Sequence, residues 1–256
     1  MDFQNEIGDL QRKITQCQEG IARRRTMFES LVVESGQTIL DLGCGGGHLV
    51  HELALAVGSD GYIVGVDPSP NQIAAARKLC TDLENVEFKA DSATDLSFND
   101  SMFDSVTSTQ VLEYVKDVDK SLTEIHRVLK KGGRFCAISV LWDHWRFHGP
   151  EPDLNEEIHN VFRDHCFHQM LPLDMPRKLL SNSFSGIHSA PIGFINQVLH
   201  NNSFALWSSK VISAFAINNG MSKDKVMAWN KQLKEADREG RFGFVSMPVL
   251  TTAIAV

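Results

Sequence analysis

The stretch Ile39-Leu-Asp-Leu-Gly-Cys-Gly-Gly-Gly-His-Leu49 passes from apolar to glycine-rich and then into a helical pattern. Thr38 to Leu42 reads as a buried parallel strand, because a short near-continuous apolar run suits a strand covered on both faces. Glycines follow at 43, 45, 46 and 47. Leu49, Val50, Leu53, Ala54 and Val57 then recur on one helical face. A strand, a glycine turn and a helix make a site for a nucleotide-type cofactor. Small residues let the backbone approach a ligand, and the helix start offers free N–H groups and positive dipole.

A dinucleotide fingerprint would place its third glycine three residues after the second, where His48 stands. Here the glycines run 43, 45, 47 behind a strand acid, Asp41. This Asp-x-Gly-x-Gly-x-Gly form resembles motif I of the class I S-adenosylmethionine-dependent methyltransferases. Further along, Phe103-Asp-Ser-Val, Leu112-Glu-Tyr-Val and Glu124-Ile-His-Arg-Val-Leu-Lys-Lys-Gly-Gly-Arg134 resemble motifs II to III of their small-molecule branch, which includes ubiquinone, menaquinone, sterol and natural-product enzymes. The resemblance spans residues 20–140. It implies S-adenosylmethionine as cofactor, held at Asp41, Gly43, Cys44, Gly45 and Gly47.

Tyr62–Val66 reads as a second strand ending at Asp67, about 20 residues beyond the glycines, the place from which an acid accepts ribose hydroxyls. The alternative for Asp67 is a helix cap, although Ser69 before Pro70 serves as well. Pro68 and Gln72 follow it, and the resemblance places residues here near the adenosine and methionine parts. Val86–Ala90 is a third strand; the resemblance assigns Asp91 and Ser92 after it to the adenine. Phe103–Ser108 and Arg134–Val140 are the fourth and fifth strands, with Gln110 at the pocket edge and an amphipathic helix, Asp119–Leu129, between them. The alternation predicts an α/β fold with a doubly wound parallel sheet, and ligands binding beyond the strands' carboxyl ends. The resemblance extends this to a mostly parallel, Rossmann-like sheet of seven strands.

Ahead of this core, residues 1–35 are expected to form a helical lid. Phe3, Ile7, Leu10, Ile14 and Cys17 make an apolar stripe, which packs on the domain, closes over the site or pairs with a second copy as a homodimer. A second helix is expected over Arg23–Val33. Arg23-Arg24-Arg25 reads as a solvated face, with one arginine able to reach the cofactor's carboxylate. Residues 36–140 form the cofactor-binding core, and 141–256 the substrate cap and last strands of the same domain. In that last part, helices are expected over Glu156–Phe167, from Pro176, over Ser203–Asn218 and over Ser222–Glu239. Strands are expected over Phe184–Leu199, Arg241–Met247 and Val249–Val256. The helical pair within 200–240 is expected to be inserted between strands six and seven.

A net charge of −7 disfavours nucleic acid as a partner. Five scattered cysteines without a Cys-x-x-Cys pair point to a reducing cytoplasm, and neither a signal sequence nor a membrane span is read. The expected partner is a small-molecule methyl acceptor. Its aromatic lining is read at Trp142, Trp145, Phe147 and Trp207, with His165 nearby. His144 and His148, just past the fifth strand, are the candidate general bases, with Asp143 and His165 behind them. His144 and His148 are also spaced to share a helix face, but no further ligand completes a metal site, so none is expected. The rival classes are a non-catalytic S-adenosylmethionine-binding protein and an NAD-dependent oxidoreductase.

Overall fold

Two helices, Glu6–Gln16 (α1) and Gln18–Leu31 (α2), precede the sheet in the computed structural model, which describes residues 6–256. The chain turns at Cys17, and α2 starts at Gln18 rather than at Arg23. Gly20 makes that turn possible: a Cβ there would lie 2.2 Å from the Ile14 carbonyl oxygen. Phe3 of the expected stripe lies outside the described residues. Leu10, Ile14 and Cys17 pack into the chain's own aromatic core, so this stripe is used within the molecule.

The core then alternates: Thr38–Leu42 (β1), His48–Val57 (α3), Tyr62–Val66 (β2), Pro70–Leu79 (α4), Val86–Lys89 (β3), Phe103–Thr109 (β4), Val118–Val128 (α5) and Leu129–Val140 (β5). Strand β5 begins at Leu129 rather than Arg134, and its ladder with β4 is irregular between Phe103 and Ser105. The remainder comprises Arg146–His148 (β6), Pro152–Phe162 (α6), Leu171–Ser181 (α7), Phe184–Pro191 (β7), Phe194–Asn196 (β8), Phe204–Asn218 (α8), Lys223–Arg238 (α9), Gly243–Ser246 (β9) and Pro248–Ala255 (β10).

Seven strands form the main sheet in the order β3-β2-β1-β4-β5-β10-β7, with β10 antiparallel to both neighbours. The order reverses between β1 and β4, the crevice where ligands of such sheets bind. Period-two alternation sends Leu40 and Leu42 to one face, against α5 and α7, and Ile39 to the other, against α2 and α3.

Several expectations in the second half are corrected. The predicted strand over 184–199 stops at Pro191 and resumes as β8 in a separate antiparallel sheet, β6-β9-β8. The segment around Arg241–Met247 enters that small sheet through β9. Helix α7 starts at Leu171, with Pro176 inside it, because Leu171, Met175 and Leu179 bury one face in the core; that burial overrides the preference of proline for a helix start. Helix α6 runs from Pro152 and ends at Phe162 rather than Phe167. The helical pair α8 and α9 does lie between β7 and β10 in sequence, as expected.

Candidate active site

A cavity of about 130 Å³ opens beyond the carboxyl ends of β1 and β4, under α1, α2 and α8. One end is built from the turn between β1 and α3. Gly45 has φ +50 and open space where a Cβ would stand, so its backbone is free to meet a ligand. Gly43, at φ +73, closes the turn: a Cβ there would fall 2.1 Å from Val111 Cγ2. Asp67 holds the turn from β2, accepting from the Gly45 amide at 3.0 Å and the Ser69 amide at 2.9 Å. Burial nonetheless raises its pKa against those two bonds. The helix cap is Ser69, whose Oγ accepts from the Gln72 amide.

Asp41 also lines this end. It is buried and accepts from Thr107 Oγ1 at 2.6 Å. Burial pushes its pKa up to about 6; the Thr107 bond opposes this and the charge of Asp67 adds to it. Gln110 carries a left-handed backbone, φ +54, strained for a residue other than glycine. Its Oε1 accepts from Arg23 Nη1. Arg23 is therefore buried in the cavity wall and not solvated, with Nε unpartnered and burial lowering its pKa to about 10. Helix α1 covers this end. Arg12 donates to Gln72 Oε1 at 2.8 Å, and Gln72 Nε2 donates to Gln11 Oε1 at 3.0 Å.

Of the cofactor residues expected from sequence, Asp41, Cys44, Gly45, Gln72 and Gln110 line the cavity; Gly43, Gly47, Asp67, Pro68, Asp91 and Ser92 do not. Asp91 accepts from the Ser92 and Ser97 amides and from Ser97 Oγ, which ties it into its own turn.

The other end is aromatic, lined by Tyr114, Trp142, Trp145, Phe162 and Phe204, with Ser208 and Val211. Trp142 and Trp145 stand where the sequence placed them; three further residues do not. Phe147 is wholly buried among Trp145, Trp229 and Phe244. Trp207 sits outside the lining, with the ammonium groups of Lys13 and Lys210 within 4.7 Å of its ring. His165 lies behind the wall, stacked on Phe162 at 4.1 Å, with Nδ1 2.6 Å from the Phe162 carbonyl and burial lowering its pKa to about 4.

The candidate bases are corrected too. His144 ends a short turn and His148 lies in β6; both are exposed, and neither lines the cavity. Strand alternation is the reason: Phe147 points inward, so Arg146 and His148 point away. The two histidines share no helix. Among the described residues no group of three His, Cys, Asp or Glu side chains is placed to hold a metal.

Sequence reasoning left Glu113, Tyr114, Phe162, Phe204 and Ser208 without a role in the site. Phe204, Ser208, Val211 and Phe215 recur at helical spacing along one face of α8, a signal that was available. Glu113 is fully buried and accepts from the Val140 amide at 3.0 Å and Ser139 Oγ at 3.2 Å. Burial outweighs these bonds and the charge of Arg23, raising its pKa to about 7. Its carbonyl takes the Phe167 and His168 amides, so this one residue ties the segment after β4 to β5 and to the chain before α7.

The strand order and the glycine turn at its switch point define a Rossmann-like methyltransferase fold of class I. The chain belongs to a family described as a methyltransferase domain, which matches residues 33–231. It is 34% identical over 140 residues to the demethylmenaquinone methyltransferase of Staphylococcus saprophyticus, covering 54% of this chain and 60% of that one. It is 39% identical over 108 residues to the 2-phytyl-1,4-naphtoquinone methyltransferase of Nostoc punctiforme, covering 41% and 47%. The chain thus spans about half the length of the curated relatives it matches. In fold it is similar to the geranyl diphosphate C-methyltransferase of Streptomyces coelicolor, solved with S-adenosyl-L-homocysteine, with a TM-score of 0.56 at 19% identity, covering 93% and 78%. The sequence implies S-adenosylmethionine as the cofactor. The residues present suit it: Gly45 leaves room for a ligand at the cavity floor, and the unpartnered Arg23 Nε suits a carboxylate. No helix among the described residues is long and apolar enough to cross a membrane.

Proposed function

We propose that the chain methylates a small apolar or aromatic acceptor, at oxygen or nitrogen, by in-line transfer. The two-ended cavity carries this reading, with glycine backbone and Asp41 at one end and an aromatic wall at the other. The quinone substrates in the relatives' names support an acceptor of that kind. When bound, the cofactor supplies an activated sulfonium methyl, so the protein's task is alignment. Asp67 accepts the ribose hydroxyls through lone pairs its amide bonds leave over, and Arg23 takes the carboxylate; Asp91 and Ser92, bonded within their own turn, take no part in it. Trp142, Trp145 and Phe162 hold the acceptor's apolar body and keep water out. Helix α1 is the lid over both.

Calorimetric titration of the protein with S-adenosylmethionine, S-adenosylhomocysteine and NAD tests the reading. The first two are expected to bind and NAD is not. Asp67→Ala should weaken binding by about tenfold to a hundredfold, the size of a lost charged hydrogen bond. Binding of NAD alone, or of none of the three, would overturn the reading. Binding without turnover of any acceptor would leave a non-catalytic binding protein.

A further inference from the structure

The aromatic end of the cavity holds two polar groups without a partner among the described residues. Trp142 Nε1 and Ser208 Oγ are both buried and unbonded, and both residues line the cavity. An indole N–H can only donate, and a serine hydroxyl donates as readily as it accepts. Buried donors left unmade are destabilising, so a native site that keeps them is arranged for an occupant that accepts hydrogen bonds.

The two groups belong to one surface. Ser208 stands one turn from Phe204 on the inner face of α8, and Phe215, two turns further along that face, meets Phe162 edge-on at 5.6 Å. Phe162 in turn packs edge-on against Trp142 at 6.2 Å. Ser208, Trp142 and Phe162 thus line the same cavity.

The charge balance points the same way. Arg12, Arg23 and Arg24 line the cavity, whereas among the described residues Asp41 is the one acid in its lining, bonded to Thr107 at the glycine end. Arg12 and Arg24 have carboxylate partners in Asp9 and Glu52, and Arg23 is bonded to the neutral Gln110. Arg23 also lies over the Phe204 ring, 5.6 Å from its centroid, at the start of the same α8 face. An ammonium acceptor would meet the charge of Arg23 and an indole donor that it cannot bond. Among the described residues His48 is the one histidine in the lining, at the glycine end, so no described imidazole lines the aromatic end.

Resting on the methyltransferase reading above, we infer that the acceptor is a flat apolar ring bearing an ionised hydroxyl, a phenolate or enolate, whose oxygen is held by Trp142 Nε1 and Ser208 Oγ. An oxygen already ionised needs no general base. Its lone pair forms the new O–CH3 bond as the sulfonium C–S bond breaks, and the electron pair of that bond returns to sulfur. A negative and a positive charge vanish together and no proton has to leave.

The test titrates the protein, loaded with S-adenosylhomocysteine, with 2-hydroxy-1,4-naphthoquinone, which is ionised at neutral pH, and with 2-amino-1,4-naphthoquinone. The hydroxyl probe should bind about tenfold or more tightly than the amino probe, the scale of one well-made hydrogen bond to a charged oxygen. Ser208→Ala and Trp142→Phe should each shrink that preference several-fold, with S-adenosylhomocysteine affinity serving as the check that the variants are folded. No binding of the hydroxyl probe, equal or tighter binding of the amino probe, or a preference that survives both substitutions would overturn the inference. Failure of S-adenosylhomocysteine itself to bind would instead remove the methyltransferase reading beneath it.

Discussion

The two ends of the cavity are made of different material. The glycine end is formed by main chain: Gly45 and its neighbours, placed by β1 and β2 in register and tied by the Asp67 carboxylate. The aromatic end is formed by side chains from separate pieces of the chain. Tyr114 follows β4, Trp142 and Trp145 follow β5, Phe162 closes α6, and Phe204 and Ser208 lie on α8. A backbone site depends on conformation, which a few glycines and acids dictate locally. A side-chain site depends on packing between elements far apart in sequence. Different acceptors can therefore be served by changing the second end while the first is left alone.

The largest expected effect breaks the aromatic end from behind. Phe147 does not touch the cavity, but it fills the core between Trp145, Trp229 and Phe244. Phe147→Ala should lower stability by about 3–5 kcal/mol, the usual result of emptying a large buried aromatic site, as measured by denaturant unfolding. A loss below about 1 kcal/mol would mean that this core is less tightly packed than it looks.

Next in size is a pH effect at Glu113, where the two ends join. Its pKa rises from an ordinary 4.5 to about 7 on folding, chiefly through burial. Between those values the unfolded chain releases the proton and the folded chain keeps it. Stability should therefore fall from about pH 5 to pH 7, by on the order of 2–3 kcal/mol from this group alone. His159 and His165, lowered to about 3 and about 4 by burial, act in the opposite sense over an overlapping window, while Asp41, raised to about 6, acts in the same sense, so Glu113 supplies one part of a parent profile that sums several groups. The comparison with Glu113→Gln isolates it. The variant should gain stability relative to the parent as pH rises through that range, and parallel pH profiles would contradict the assignment.

The smallest effect concerns the histidines that sequence spacing favoured as bases. Replacing His144 and His148 together with alanine should change stability by under about 0.5 kcal/mol and cofactor affinity by less than twofold, because both are exposed and outside the lining. A tenfold fall in turnover of an acceptor would restore them as candidates.

The same contrast explains what the sequence disclosed. Strand β1, its glycines and helix α3 were legible because each residue type is required by local geometry, and β2, β4 and α5 followed from simple periodicity. Of the residues read for the glycine end, Asp41, Cys44, Gly45, Gln72 and Gln110 line the cavity, whereas Gly43, Gly47, Asp67, Pro68, Asp91 and Ser92 do not. Past Leu141 the local signals mislead. Pro176 suggests a helix start, yet it sits inside α7, held there by the burial of Leu171, Met175 and Leu179. The run from Trp142 to His148 looks like one aromatic patch, but a turn and a strand divide it: Trp142 and Trp145 face the cavity, Phe147 the core, and the histidines the solvent. Arg23 looked like part of a charged surface run and is buried, because α2 lies across the end of β4 and meets Gln110.

On the proposed function, Gln72 bears on timing as well as on geometry. Its side chain is gripped by Gln11 and Arg12 of α1, while the chain bends at Cys17 and Gly20 just beyond. If that helix is the proposed lid, those two bonds open together before a molecule at the glycine end exchanges. On the lid reading proposed above, entry and departure share that one gate, and turnover is bounded by the rate at which the helix lifts.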